Sequence, residues 1–145
     1  MSHNQNMGTS RDRLTRKQRS ALMSRVRSKD TLPERRVRKF LWERGFRYRL
    51  HRHDLPGKPD IVLSRLGRII LVHGCFWHGH NCSAGMNRPQ SNLAYWVPKM
   101  LRNKHRDKES LRDLRKLGWK VLIVWECQVK NDQMLSKRLL NFLKN

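Results

Sequence analysis

The chain is short of acids. Eleven Asp and Glu face 33 Lys and Arg in 145 residues, a formal charge of +22 that drives strong self-repulsion unless a polyanion neutralises it. Nucleic acid is the partner such a balance implies, although charge alone does not say whether chemistry follows binding. Long hydrophobic runs are also missing. No stretch approaches the roughly 20 apolar residues that cross a bilayer, and the opening MSHNQNMGTSRDR lacks the apolar centre of a signal peptide. The chain therefore reads as cytosolic, without a membrane partner. Cysteines number three, and an odd count in a chain of this kind argues against a disulfide framework and leaves a metal or inert thiols. No internal repeat is visible.

The length fits one domain with one sizeable core. Residues 1–14 are polar and aperiodic and read as a flexible lead-in, so the ordered domain is expected over 15–145. Thr15 to Gln18 has capping-box spacing and opens a short basic helix to about Arg27, with Leu22 and Val26 on one side. Thr31-Leu-Pro-Glu34 repeats the signal for a second helix carrying Val37, Phe40 and Leu41, with Trp42 extending the apolar face and Gly45 as the stop. Three strands are predicted at Phe46–Arg52, Asp60–Ser64 and Arg68–Val72, the last two joined as a hairpin around Leu66-Gly67 and the first two separated by the turn formers of DLPGKP. IVL and IILV are apolar throughout, as strands covered on both faces require. Residues 74–98 show no period and read as a functional loop. A basic helix follows from about Val97 to Leu117, with Leu111, Leu114 and Leu117 inward and Gly118 as its stop. WKVLIVWE (119–126) is the strongest strand, and Leu135, Leu139, Phe142 and Leu143 mark a final helix. The order ααβββαβα predicts an α/β fold, a mixed sheet between helices.

Residues 73–82, HGCFWHGHNC, place three histidines and two cysteines beside bare aromatics. Buried imidazoles without partners cost about 1–3 kcal/mol each, so something local must satisfy them. Cys75, His80 and Cys82 lie close together, and Cys127 sits where the strongest strand could deliver a fourth ligand. Thiolate and imidazole at this density suit tetrahedral Zn²⁺ in a closed, structural site; the alternative is free thiols near an incidental His. Asp60 opens a buried strand, a poor place for a charge without a partner. Mg²⁺ held by hard oxygens against a phosphodiester would supply one, with Val72 and His73 opposite it across the hairpin; a turn-capping role competes. No acid followed two residues later by Lys stands in IILVHG, which leaves His73 and His78 as candidate proton-transfer or phosphate-contacting groups. Glu34 has an ordinary role in the capping box with Thr31. Met23 by default packs in the core, and the helix stretch 99–108 by default is solvated or faces phosphates. Phe76 and Trp77, with Tyr95 and Trp96, either form a small core or stack on and wedge between bases.

HGCFWHGHNC, preceded by LPGKPDIVL and followed by LGWKVLIVWEC, strongly resembles the very short patch repair (Vsr) family of DNA mismatch endonucleases. The likeness runs from about Arg16 beyond Cys127. It implies a restriction-endonuclease-like three-layer sandwich with a structural zinc, Mg²⁺-dependent nicking of duplex DNA 5′ to the thymine of a T:G mismatch left by 5-methylcytosine deamination, a monomer, a bacterial cytoplasmic, nucleoid-associated setting, and a functional link to a cytosine-5 DNA methyltransferase. By the resemblance Asp60 is the metal-binding aspartate and His73 and His78 are active-site histidines, with His78 the general base. Glu34 matches an acidic residue near that site, and Cys75, His80, Cys82 and Cys127 match zinc ligands. Phe76, Trp77 and Trp96 match DNA wedges, and Met23 falls where an N-terminal helix reaches the minor groove. Arg25, Arg27, Lys99, Arg102 and Lys104 are expected to grip the phosphate backbone. Val72 stands where a Thr is familiar, which leaves a backbone carbonyl as its means of holding Mg²⁺. Gly79 stands where relatives carry another His. Two rival readings are a nuclease of the same fold with a different or broader target, and a non-catalytic zinc-containing DNA-binding protein.

Overall fold

A computed structural model describes Thr15, Lys17, Gln18, residues 30–75, His78, residues 80–82 and residues 93–144. The predicted lead-in, most of the first helix and residues 83–92 lie outside the described residues. The start of that first helix is described: Thr15 Oγ1 accepts from the Gln18 N–H and Gln18 Oε1 accepts from the Thr15 N–H, the two halves of a capping box.

Helix α1 (Leu32–Glu43) begins at an extended Thr31 whose hydroxyl accepts the Glu34 N–H, and Pro33 occupies its first turn. Glu34, Val37 and Leu41 recur on one side and are all buried. The helix ends in a Schellman turn: Gly45 adopts φ +84°, and the N–H groups of Gly45 and Phe46 return to the Trp42 and Leu41 carbonyls. Trp42 does not extend the buried face. It is 56% exposed, lies edge-on to Tyr48 and is covered by the Arg47 guanidinium.

Strands β1 (Arg49–Leu50), β2 (Ile61–Leu63), β3 (Arg68–His73) and β4 (Lys120–Trp125) form one mixed sheet in the order β1-β2-β3-β4. The first three pair antiparallel, and β3 pairs parallel with β4. The predicted Phe46–Arg52 strand shrinks to two residues because His51 turns left-handed, at φ +49°, and breaks the ladder. A 3₁₀ turn (Ser64–Leu66) and left-handed Gly67 close the β2–β3 hairpin.

Helix α2 (Leu93–Lys116) starts four residues before the predicted Val97 and carries Pro98 inside it. A reading that places Pro in the first turn misses such a start, since Pro98 merely leaves the Ala94 carbonyl without its helical donor. Gly118, at φ +95°, ends α2 as Gly45 ends α1: the Gly118 and Trp119 N–H groups reach the Arg115 and Leu114 carbonyls. Leu117 therefore falls beyond the helix and is 62% exposed, whereas Leu114 is fully buried. After β4 come a short helix α3 (Glu126–Val129) and α4 (Asp132–Lys144).

Alternation along the strands divides the core. Ile61, Leu63, Ile70 and Val124 face α1, α3 and α4 through Val37, Leu41, Val129, Leu135, Leu139 and Leu143. Val62, Ile69 and Leu71 face Leu114 of α2. The sheet is thus covered on both sides, as its unbroken apolar strands require, and burial of each such side chain contributes about 1.5–3 kcal/mol. Among the described residues no helix is long and apolar enough to cross a membrane.

Candidate active site and Cys/His metal cluster

The PGKP loop delivers Asp60 to the start of β2. Gly57 adopts φ +73°, and a β-carbon there would come within 2.6 Å of Ser110 Cβ and Oγ, so only glycine lets the loop press against α2. Asp107 lies one helical turn before Ser110 on the same helix, which brings the end of the loop close to it. Asp60 Oδ2 accepts the Val72 N–H at 2.8 Å, and the Asp60 carbonyl accepts the His51 N–H at 3.1 Å. Burial pushes the Asp60 carboxyl up to about 7; the Val72 N–H opposes the rise, and the carboxylates of Glu34 and Asp107 add to it.

Glu34 is 2% exposed, unusual for a carboxylate. It helps raise the Asp60 carboxyl, and its Oε2 accepts the Asp30 N–H at 2.5 Å. The expected reach to the Thr31 N–H is thus replaced by a reach one residue further back, while the other half of the cap, Thr31 Oγ1 to the Glu34 N–H, is present. His51 Nε2 stands 3.5 Å from Glu34 Oε2 and 3.8 Å from Asp30 Oδ1.

His73 ends β3, and the chain then turns back, with the His78 N–H bonded to the Gly74 carbonyl. The turn stacks the two imidazoles, centroids 3.9 Å apart and planes 7° from parallel. His78 Nδ1 is paired with Asp107 Oδ2, which leaves Nε2 as the nitrogen open to other partners. His73 is lowered to about 4 by burial and by His78, against the pull of Asp107, and its buried Nδ1 has no hydrogen-bond partner among the described residues. His73, His78 and Asp107 form a group that could hold a metal ion. The field of Asp107 reaches both Asp60 and His73, which makes these side chains one electrostatic unit.

A second cluster grows from the same strand ends. The parallel register pairs His73 with Trp125, so Cys75 and Cys127, each two residues further on, meet. The Cys127 N–H lies 3.4 Å from Cys75 Sγ and Cys127 Sγ lies 3.6 Å from His80 Nδ1. Cys82 completes a set of four ligand atoms, all within 4.8 Å of one another, that could hold a metal ion. The three thiols form no disulfide, and burial raises Cys75 to about 12 and raises Cys127. Trp125 separates the two groups: it stacks on His80 at 4.1 Å and turns its edge toward His73 at 5.2 Å.

The structure thus brings together Asp60, Val72, Glu34, His73 and His78 on one side and Cys75, His80, Cys82 and Cys127 on the other. Trp96 lies on α2, half-buried and edge-on to Tyr95 at 4.9 Å. Arg102 and Lys104 are exposed on that helix, and the Lys99 ammonium lies 5.7 Å from the Tyr95 ring. Met23, Arg25, Arg27, Phe76 and Trp77 lie outside the described residues. Sequence reasoning missed Asp107 and His51. Asp107 is an acid inside the cationic run KHRDK, the one signal that could have marked it; His51 had none, being read as a strand residue.

The sequence profile of the DNA mismatch endonuclease Vsr family matches residues 11–84. The type II nicking enzyme V.XorIIP of Xanthomonas oryzae pv. oryzae is 48% identical over 91% of this chain and 96% of its own length. The type II nicking enzyme V.NmeAIP of Neisseria meningitidis serogroup A is 45% identical over 88% of this chain and 91% of its own. The DNA mismatch endonuclease Vsr of Escherichia coli K12 is 36% identical over 84% of this chain and 78% of its own. With an acid and imidazole site on one side of Trp125 and a thiol-rich cluster on the other, the chain belongs to the Vsr family of DNA mismatch endonucleases.

Proposed function

We propose that the protein is a Mg²⁺-dependent nickase that cuts duplex DNA 5′ to the thymine of a T:G mismatch, the lesion left by 5-methylcytosine deamination. The observation that carries this reading is the placement of Asp60, bonded to the Val72 N–H, beside the His73–His78–Asp107 group. A mixed sheet covered by helices on both faces, with an acid at the end of β2, is consistent with a restriction-endonuclease-like architecture.

The donor set fits a hard divalent cation. The buried Glu34 helps raise the Asp60 carboxyl, a repulsion that a cation would relieve. The N–H and C=O of one strand residue project to the same edge, so the Val72 carbonyl faces the flank on which Asp60 takes the Val72 N–H. Mg²⁺ bound by Asp60 and the Val72 carbonyl would polarise the scissile phosphodiester and offset charge on the departing oxygen. His78 acts as general base through Nε2, while Asp107 holds Nδ1 and stabilises the imidazolium that results. His73, neutral near pH 7 because it is held at about 4, donates a hydrogen bond to the phosphate. Glu34 completes the acidic wall behind Asp60.

The cysteine cluster fits zinc. Tetrahedral ligation with Zn–S of about 2.3 Å and Zn–N of about 2.1 Å separates S from N by about 3.6 Å, and Cys127 Sγ and His80 Nδ1 are 3.6 Å apart. Four protein ligands close the site, so its role is structural. Lys99, Arg102 and Lys104 on α2, with Arg25 and Arg27, grip phosphates; Trp96, Phe76 and Trp77 wedge at the mismatch, and Met23 reaches the minor groove. The enzyme acts as a monomer alongside a cytosine-5 DNA methyltransferase.

The test is nicking of end-labelled duplexes that carry one T:G pair in varied flanks, with metal content measured on the same preparation. The expected result is one Mg²⁺-dependent nick beside the mismatched thymine and about one zinc per chain. Equal cutting of matched duplexes, or mismatch binding without any nick, would overturn it.

A further inference from the structure

We infer that His51 is a positioning residue that holds Glu34 and Asp60 in register for the catalytic cation, an inference that rests on the Mg²⁺ reading above. Its backbone and its ring act on different members of the acid pair. The His51 N–H bonds the Asp60 carbonyl at 3.1 Å, fixing the residue from which the carboxyl projects. The ring meanwhile points Nε2 at Glu34 Oε2, 3.5 Å away, and at Asp30 Oδ1, 3.8 Å away. Since the Glu34 carboxyl acts on the Asp60 carboxyl, one residue braces the pair from both ends.

The backbone supports this. A non-glycine residue at φ +49° carries backbone strain that its surroundings must offset. Here the left-handed turn ends β1 after two residues and swings the ring inward, leaving its side chain 17% exposed. Among the described residues His51 Nε2 is buried without a hydrogen-bond partner, and the Glu34 and Asp30 carboxylates stand beside it. The trio Asp30, Glu34 and His51 also has the spacing of a metal site. A separate cation there is disfavoured, because the Arg38 guanidinium already sits 2.9 Å from Asp30 Oδ1 and the Asp30 N–H occupies Glu34 Oε2. The ring is better described as the support of Glu34, acting from behind the metal pocket.

The experiment uses zinc-replete full-length protein and Mn²⁺ as probe, titrated without DNA and followed by loss of the free-ion electron paramagnetic resonance signal. His51→Gly removes the ring while relieving the left-handed strain; His51→Gln returns an amide nitrogen near the Nε2 position. Thermal melts and duplex affinity in EDTA report the fold. The expected result is Mn²⁺ binding weakened about 10-fold or more in His51→Gly, recovery of most of that loss in His51→Gln, and duplex affinity within about twofold of wild type for both. Wild-type Mn²⁺ affinity in His51→Gly, or no recovery in a folded His51→Gln, would overturn the inference. Asp60→Ala run alongside separates the two levels: if it keeps wild-type Mn²⁺ affinity the Mg²⁺ reading itself fails, whereas loss in Asp60→Ala with none in His51→Gly removes only the role of His51.

Discussion

Two clusters leave the paired ends of β3 and β4, and they are built on opposite plans. The Cys/His cluster draws Cys75, His80 and Cys82 from eight consecutive positions and adds only Cys127 from elsewhere. The acid and imidazole group takes Glu34 from α1, Asp60 from the PGKP loop, His73 from β3, His78 from the turn after it and Asp107 from α2. The first turns four ligand atoms toward one point; the second combines Asp60 raised to about 7, His73 lowered to about 4 and a buried His73 Nδ1 with no hydrogen-bond partner among the described residues. On the function proposed above, the first is a structural staple and the second the site of chemistry.

The sharpest way to break this contrast is Asp60→Asn. The amide keeps an oxygen for the Val72 N–H and removes the charge, so nicking of a T:G duplex should fall on the order of 10³-fold or more, with duplex affinity nearly unchanged. Stability should move the other way. Burial raises the carboxyl from 3.8 to about 7, so between those pH values the folded chain holds a proton that the unfolded chain has released. The wild-type metal-free site therefore loses stability as pH climbs from about 4 to 7, and the Asn variant is spared that loss. Melts in EDTA at pH 5 and pH 8 should show Asp60→Asn about 1–3 kcal/mol more stable than wild type at pH 8 and closer to it at pH 5. Equal stability at both values would show that the acid is not strained by its surroundings.

Cys127→Ser tests the other cluster and should move stability in the opposite direction. Breaking the link between the end of β4 and the 75–82 segment should lower the melting temperature by about 10 °C or more in a domain of this size, because a structural metal contributes several kcal/mol to folding. Metal content should fall in parallel, and nicking should be lost with it, since His78 lies between Cys75 and His80. A Cys127→Ser protein with full metal and wild-type melting would detach this cluster from the fold.

The dyad of His78 and Asp107 predicts a smaller step. His78→Ala should cost about 10²–10⁴-fold in single-turnover nicking, and Asp107→Asn less, about 10–100-fold, because the imidazole survives and only its orientation and charge support are lost. If the pair works as one unit, the double variant should be no slower than His78→Ala alone. Additive losses would mean that Asp107 acts elsewhere, for instance through its field on Asp60.

The two plans also explain what could be read in advance. Strands β2, β3 and β4 were legible because Ile61–Leu63, Ile69–Val72 and Val121–Val124 are apolar runs that only a doubly covered sheet requires, and both Gly45 and Gly118 mark helix ends by their φ. The cysteine cluster was legible because its ligands crowd one segment. Asp107 and His51 were not, since their roles depend on how α2 lies against Gly57 and on a left-handed turn at residue 51, neither of which leaves a local pattern. Glu34 was half legible: its N-terminal cap is written in Thr31-Leu-Pro-Glu34, while its burial beside Asp60 is a tertiary fact.

The finest test concerns Val72, which stands where the family resemblance anticipates Thr. Its side chain packs against the core shared with α1 and α4, while its N–H serves Asp60. The contribution of this position to the acid site thus runs through the backbone, which Thr and Val share, and not through a side chain that points into the other layer. Val72→Thr keeps the branched shape but brings a hydroxyl toward apolar neighbours, at about 1–2 kcal/mol unless a carbonyl accepts its proton. The expected outcome is therefore a small loss of melting temperature, with the Mg²⁺ concentration for half-maximal nicking and the nicking rate within about twofold of wild type. A gain of tenfold or more in either would show that a hydroxyl reaches the cation, and that the backbone account of this edge of the site is wrong.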